Sequence, residues 1–184
     1  MEKNSYFIGI CPSYLIERQI HGIKEEIRQK YGVKGAFRSI AHITMQMPFK
    51  LPIKKEPELI SELGTIMKTQ KPVEIELRDF GSFEPRVIFI KVIENEMLNS
   101  LQETLEQFMK KFQVFNGTHQ NRGFHPHITV AFRDLKKPIF YEIWNEVKDK
   151  SFSGKFIADS ITLFKHNGYS WDDYENITLN TPSN

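Results

Sequence analysis

One cysteine, Cys11, occurs in the 184 residues of this chain. No internal disulfide can form, and a reducing cytoplasm is the expected compartment. No apolar run approaches the roughly 18 residues of a membrane span, so no membrane association is expected. The opening Met-Glu-Lys-Asn-Ser-Tyr-Phe-Ile-Gly-Ile is too short and interrupted for a signal-peptide core. Neither sign of charge dominates: 25 Lys and Arg face 23 Asp and Glu, for a formal net charge of +2. That balance admits an acidic substrate without by itself predicting a surface that coats nucleic acid. No Ser/Gly/Pro-rich tract divides the sequence, so residues 1–184 read as a single domain, two lobes sharing one core. No H-E-x-x-H and no Asp/Cys ligand cluster is present, and neither a metal nor a cofactor is expected. Nothing signals an obligate protein partner, and a monomer is the expectation.

What the chain does have is periodic. Tyr6 to Ile10 reads as a strand stopped by Pro12. Leu15, Ile16, Ile20, Ile23 and Ile27 recur at helical spacing from Tyr14 to Tyr31, with Gly32 as the stop. A strand over Ala41–Phe49, a helix over Glu58–Lys68 and a hairpin of Val73–Phe80 with Arg86–Ile93 follow. Asn95 to Phe112 reads as a helix with Met97, Leu98, Leu101, Leu105, Phe108 and Met109 on its apolar face. After a polar Gly117–Gly123 loop come a strand over His127–Phe132 and a helix over Phe140–Val147. Strands over Phe156–Lys165 and Asp173–Leu179 close the chain. The order helix, histidine strand, helix, strand, strand occurs twice, as an internal duplication of about 85 residues.

Two short strings mark the repeat: Ala41-His42-Ile43-Thr44-Met45 and Pro126-His127-Ile128-Thr129-Val130. On a strand, residues i and i+2 share a face, so His42 stands beside Thr44, and His127 beside Thr129. An imidazole accepts or donates a proton near neutrality. Threonine hydroxyls donate to the oxygens of an anion. Two such strings together supply an acid, a base and two hydroxyl donors for one phosphodiester.

The paired His-x-Thr-x strings resemble those of the two-histidine (2H) phosphoesterase superfamily, and within it the bacterial 2′-5′ RNA ligase and cyclic phosphodiesterase-like proteins. The run Arg122-Gly123-Phe124-His125-Pro126-His127-Ile128-Thr129-Val130 is similar to the context of that family's second motif. The Asp159–Phe164 run is similar to its closing strand. The resemblance implies an α+β, bilobal, pseudo-twofold fold with two antiparallel sheets facing a central cleft and helices packed outside. It implies metal-independent chemistry on 2′,3′-cyclic phosphates or 2′-5′ phosphodiester bonds of RNA ends or small nucleotides. His42 and His127 take the acid/base roles and Thr44 and Thr129 hold the phosphate. Which histidine is the acid stays open. So do two alternatives: a reversible 2′-5′ RNA ligase, and a non-catalytic module that binds RNA ends or nucleotides.

Further residues enter as cleft-lining expectations. His125 shares a face with His127 if the strand begins early. Relatives often carry an arginine shortly after the second motif. Here Phe132 stands in that place, and Arg133 follows on the face of His127 and Thr129 unless a bulge intervenes. Phe49, Phe83 and Trp171 are candidates to stack on a base. His21, His119 and His166 read as structural, Cys11 as a small buried residue, and Lys54-Lys55 and Lys110-Lys111 as solvated helix edges.

Overall fold

The computed structural model describes residues 2–116 and 123–180. His119, Arg122 and most of the expected 117–123 loop lie outside them. The described elements run β1 (Lys3–Ile10), α1 (Tyr14–Tyr31), β2 (Ile43–Pro52), α2 (Glu56–Met67), β3 (Val73–Phe83), β4 (Val87–Val92), α3 (Glu96–Lys110), β5 (His127–Ala131), α4 (Lys137–Val147), β6 (Ser153–Ala158), β7 (Ser160–His166) and β8 (Trp171–Thr178). Among the described residues, no helix is long and apolar enough to cross a membrane.

Local chemistry sets the ends. Helix α1 stops at Gly32, whose left-handed φ of 71° lets its N–H return to the Arg28 carbonyl. Asn95 caps α3 by accepting the Leu98 N–H at 3.0 Å, and its own amide donates to the Glu74 carbonyl at 2.6 Å. That second bond fixes the start of α3 to β3. Helix α4 begins three residues before the expected Phe140, because Pro138 suits a first helical turn. Leu15 and Met97, expected on apolar faces, are exposed at 75% and 51%. In α1 the buried stripe is instead Ile16, Ile20, Lys24 and Ile27.

The strands are ordered β6-β3-β4-β5-β2-β1-β7-β8, and every registered neighbour is antiparallel. This ladder is two four-stranded sheets meeting where β2 and β5 share one registered pair, Ile43 with Ile128. Both isoleucines are fully buried, in one apolar cluster with Ile20 of α1, Leu59 of α2, Leu98 of α3 and Phe140 of α4. Helix α1, from the first half of the sequence, packs on β5, and α3, from the second half, packs on β2. Packing across the seam thus supplies what one backbone pair cannot.

The lobes do not coincide with the sequence halves. The single strand expected over Phe156–Lys165 is two: β6 pairs with β3 in one lobe, and β7 pairs with β1 in the other. Asp159 alone separates them. No Gly or Pro stands at the junction, and the local mark of the change of partner is only the two successive polar residues Asp159 and Ser160.

Glu56, at the start of α2, fastens that helix to the first lobe. It accepts the Tyr6 hydroxyl from β1, the Lys165 ammonium from β7 at 2.7 Å and the Tyr174 hydroxyl from β8 at 2.8 Å. Burial pushes its carboxyl up, but the bonds from Lys165, Tyr6 and Tyr174 outweigh this and hold it below its ordinary value. A depressed carboxylate adds stability above its unfolded pKa, and that stability is lost as pH falls through the folded value. Glu56→Gln is therefore expected to cost about 1–3 kcal/mol in urea unfolding at pH 7, the range for unpairing a buried polar group. The gap between variant and parent should narrow as pH falls below about 4, near the unfolded carboxylate value.

Candidate active site

The seam positions the site. His42 immediately precedes β2, and His127 is the first residue of β5. Because Ile43 and Ile128 turn into the core, strand alternation turns His42, Thr44, His127 and Thr129 to the opposite face. All four are partly exposed there. The register of the single pair sets His42 across from Thr129 and Thr44 across from His127. The imidazoles thus occupy one diagonal of a four-residue plot and the hydroxyls the other. In a regular ladder such a diagonal spans about 7–8 Å, room for a tetrahedral anion between the rings.

Each imidazole is held in the same way. His42 Nδ1 lies 2.8 Å from the Ile40 carbonyl and His127 Nδ1 lies 2.7 Å from the His125 carbonyl. A carbonyl only accepts, so each Nδ1 carries the hydrogen and each neutral ring keeps its lone pair on Nε2. Both rings are also packed by phenylalanine. Phe7 and Phe164 lie 4.7 and 5.3 Å from His42, and Phe89 and Phe83 lie 4.7 and 5.2 Å from His127, between ring centroids. Phe89 reaches its place because β3 has Gly81 beside it. A Cβ there would sit 2.5 Å from the Phe89 ring.

This apolar packing controls protonation. The pKa of His42 is lowered to about 4, chiefly by burial; the Ile40 carbonyl opposes this, and Lys24 and His127 add smaller lowering effects. Burial likewise lowers His127, with His125 adding to the effect and its backbone carbonyl opposing it. Lys24 is a cation inside the apolar stripe of α1, donating to the Ala36 carbonyl at 3.0 Å. Burial lowers its own pKa to about 8.

The remaining expected residues are placed differently from the motif. His125 stays outside β5, in the segment entering through Pro126, yet its exposed ring lies 5.2 Å from Phe83 and 6.3 Å from His127. It is beside the cleft, though not by strand alternation. Arg133 also leaves the strand. A register shift near Ala131 ends β5, and Arg133 takes a left-handed φ of 71°. Its side chain lines a recess of about 330 Å³ with Ser5, Lys50, His166 and Trp171. Phe49 does not present the expected open face beside the imidazoles. Six residues from Ile43, it shares that residue's core face by alternation and pairs with Tyr6, where it stacks at 5.8 Å and is 9% exposed, with part of it lining the same recess. Trp171 packs edge-on against Phe7 and against His166, and so borders both the recess and the aromatic shell of His42.

Lys91 is a cleft residue that no sequence pattern singles out. It is paired with His127 across β4–β5, is exposed, and makes no ion pair among the described residues. Phe7, Phe89 and Phe164 are likewise beyond the reach of sequence reasoning. Their strand phase relative to the histidines depends on long-range register. Among the described residues, no three His, Cys, Asp or Glu side chains are grouped to hold a metal ion.

Comparison with known proteins gives concordant results. Residues 15–170 match the family model described as the 2′-5′ RNA ligase superfamily. A Bacillus pumilus protein named "Putative phosphoesterase" is 27% identical over 177 residues, covering 95% of this chain and 96% of that one. A Shouchella clausii protein of the same description is 30% identical over 142 residues, covering 75% and 79%. In fold, the chain is similar to E. coli LigT crystallised with 3′-AMP, at a TM-score of 0.72 and 20% identity over 98% of this chain and all of that one. It is similar to TT0787 of Thermus thermophilus at a TM-score of 0.70 and 20% identity, over 97% of this chain and all of that one.

The site geometry has a direct spectroscopic consequence. Long-range ¹H–¹⁵N spectra at pH 7 should show His42 and His127 neutral and protonated at Nδ1. On acidification His42 should titrate near pH 4 and His127 below the ordinary histidine value of about 6.5. An Nε2-protonated tautomer, or a doubly protonated ring at pH 7, would contradict the arrangement.

Proposed function

The chain belongs to the 2′-5′ RNA ligase superfamily, and from that membership we propose a metal-independent phosphodiesterase that opens 2′,3′-cyclic phosphates, or cleaves 2′-5′ bonds, at RNA ends or in small nucleotides. The observation that carries this reading is the diagonal pair of Nδ1-anchored imidazoles flanked by two threonines. It supports a division of labour as well. His42, the more strongly depressed ring, is the neutral base, and His127 holds the proton in the singly protonated pair.

In the reaction, His42 Nε2 takes a proton from water as the water oxygen bonds to phosphorus. The bond from phosphorus to the ribose 3′-oxygen breaks, and His127 Nε2–H gives its proton to that oxygen, leaving a 2′-phosphate. Thr44 and Thr129 donate to the non-bridging oxygens, where charge builds in the transition state. Lys91, beside His127, adds a positive charge on the same side.

A panel of 2′,3′-cyclic mononucleotides, 2′-5′ oligonucleotides and tRNA halves, read by product identity, tests the reading and separates hydrolysis from ligation. Turnover is expected to survive EDTA. His42→Ala and His127→Ala should each lose about 10²–10⁴-fold, and Thr129→Val about 10²-fold. A His42→Ala protein with the parent rate would refute the mechanism.

The pH profile follows from the two rings. Activity needs His42 unprotonated, so kcat/KM rises through about pH 4, and it needs His127 protonated, so kcat/KM falls through a value below about 6.5. The expected bell is centred on the acid side of neutrality.

A further inference from the structure

Beside the cleft lies a second concavity of about 560 Å³ that the proposed chemistry does not use. Its walls come from one face of α1, from the short 3-10 turn Gly35–Arg38 and the Lys34 before it, from the residues after β5, and from Tyr169 between β7 and β8. Four cations line it: Arg28, Lys34, Arg38 and Arg133.

Both acids in the groove are already engaged. Glu25 is paired with Arg28 and also accepts from Gln29. The Asp134 carboxylate accepts the backbone N–H groups of Lys34 and Gly35, each at 2.9 Å. Lys34, Arg38 and Arg133 form no ion pair among the described residues. Three cations are thus left facing one groove, with aromatic surface between them. The Arg38 guanidinium lies 5.8 Å from the ring centre of Tyr169, which is 75% exposed, and Phe37 also lines the wall. Free cations track phosphates, while exposed aromatic rings and guanidinium planes stack on unpaired bases.

The groove is joined to the cleft by a rigid element. Arg133 lines both this groove and the recess bordered by Trp171. Its position is fixed by its left-handed backbone and by the close seating of the 3-10 turn on the chain after β5. At Gly35 a Cβ would sit 2.2 Å from the Phe132 carbonyl oxygen, so no side chain fits there.

We propose that this groove binds the single-stranded RNA on the 5′ side of the reacting phosphate, with Arg133 at the passage between the two. The assignment rests on the phosphodiesterase reading and extends it: the preferred substrate is an oligoribonucleotide end rather than a mononucleotide.

The test compares a 2′,3′-cyclic mononucleotide with RNAs of two, four and eight nucleotides bearing the same cyclic end. kcat/KM should rise about tenfold or more between the mononucleotide and the four-nucleotide RNA. Lys34→Ala/Arg38→Ala and Tyr169→Ala should remove that increment, chiefly through KM, and leave mononucleotide turnover unchanged. Binding of a fluorescent eight-nucleotide RNA ending in a 3′-phosphate, followed by anisotropy, gives a readout independent of turnover. The double variant should flatten its log–log salt slope by about 1.4, the value for two lost single-strand phosphate contacts. No gain with length, a gain that survives both variants, or equal binding of a blunt duplex overturns the assignment. Absence of turnover on every substrate refutes the phosphodiesterase reading instead, and the salt slope still decides whether the groove holds RNA.

Discussion

The contact between Ile43 and Ile128 sets the geometry of everything that can act on a substrate here. A long β2–β5 ladder would hold the two sheets edge to edge along their whole length. One registered pair lets the strands part on either side of it while still fixing which residues face each other. The burial of both isoleucines protects that register, because a slip of one residue would turn an imidazole into the core and an isoleucine into the cleft. Helices α1 and α3 reinforce the seam from behind, each packing on the histidine strand of the other half of the sequence.

Around that seam the cleft is chemically divided. Close to the histidines it is apolar: four phenylalanine rings surround two imidazoles whose Nδ1 atoms are tied to carbonyls two residues back. Such surroundings keep an imidazole neutral and reserve Nε2 for whatever enters. Lys91 supplies positive charge beside His127, and Lys50 and Arg133 supply it farther off, in the recess. Attraction of an anion and tuning of the proton carriers therefore fall to different residues. Charge close to the rings would depress them further, as Lys24 does to His42.

Much of this is legible in the sequence because it is local. The helix periods of α1 and α3 and the alternation in β3 and β4 require no knowledge of partners. The His-x-Thr phase places both motif side chains on one face from spacing alone. The misplacements have long-range causes. Phe49 is the exception, because it lies six residues from Ile43 and falls on the core face by alternation itself. Arg133 leaves its strand through a backbone turn that no glycine announces. The break at Asp159 carries only a faint local signal, two successive polar residues with no Gly or Pro, because what chiefly separates β6 from β7 is their different partners. Lys24 sits on a buried stripe because a carbonyl, supplied by a segment twelve residues on, receives its ammonium group.

The exchange of strands at Asp159 also orders assembly in time. The lobe carrying His127 is built from β3, β4, β5 and β6, one uninterrupted stretch of chain, and all its strands have left the ribosome by the time β6 emerges. The lobe carrying His42 cannot be completed then. Its β1, made before the other described strands, must wait for β7, so that Tyr6 meets Lys165 only after everything between them has been made. Pairings so distant in sequence form slowly, because closing the loop precedes the reward. The histidine strand translated first thus belongs to the lobe finished last, and the nascent chain passes through a stage in which β2 has β1 and β5 beside it while the outer strands β7 and β8 of its lobe are still to come.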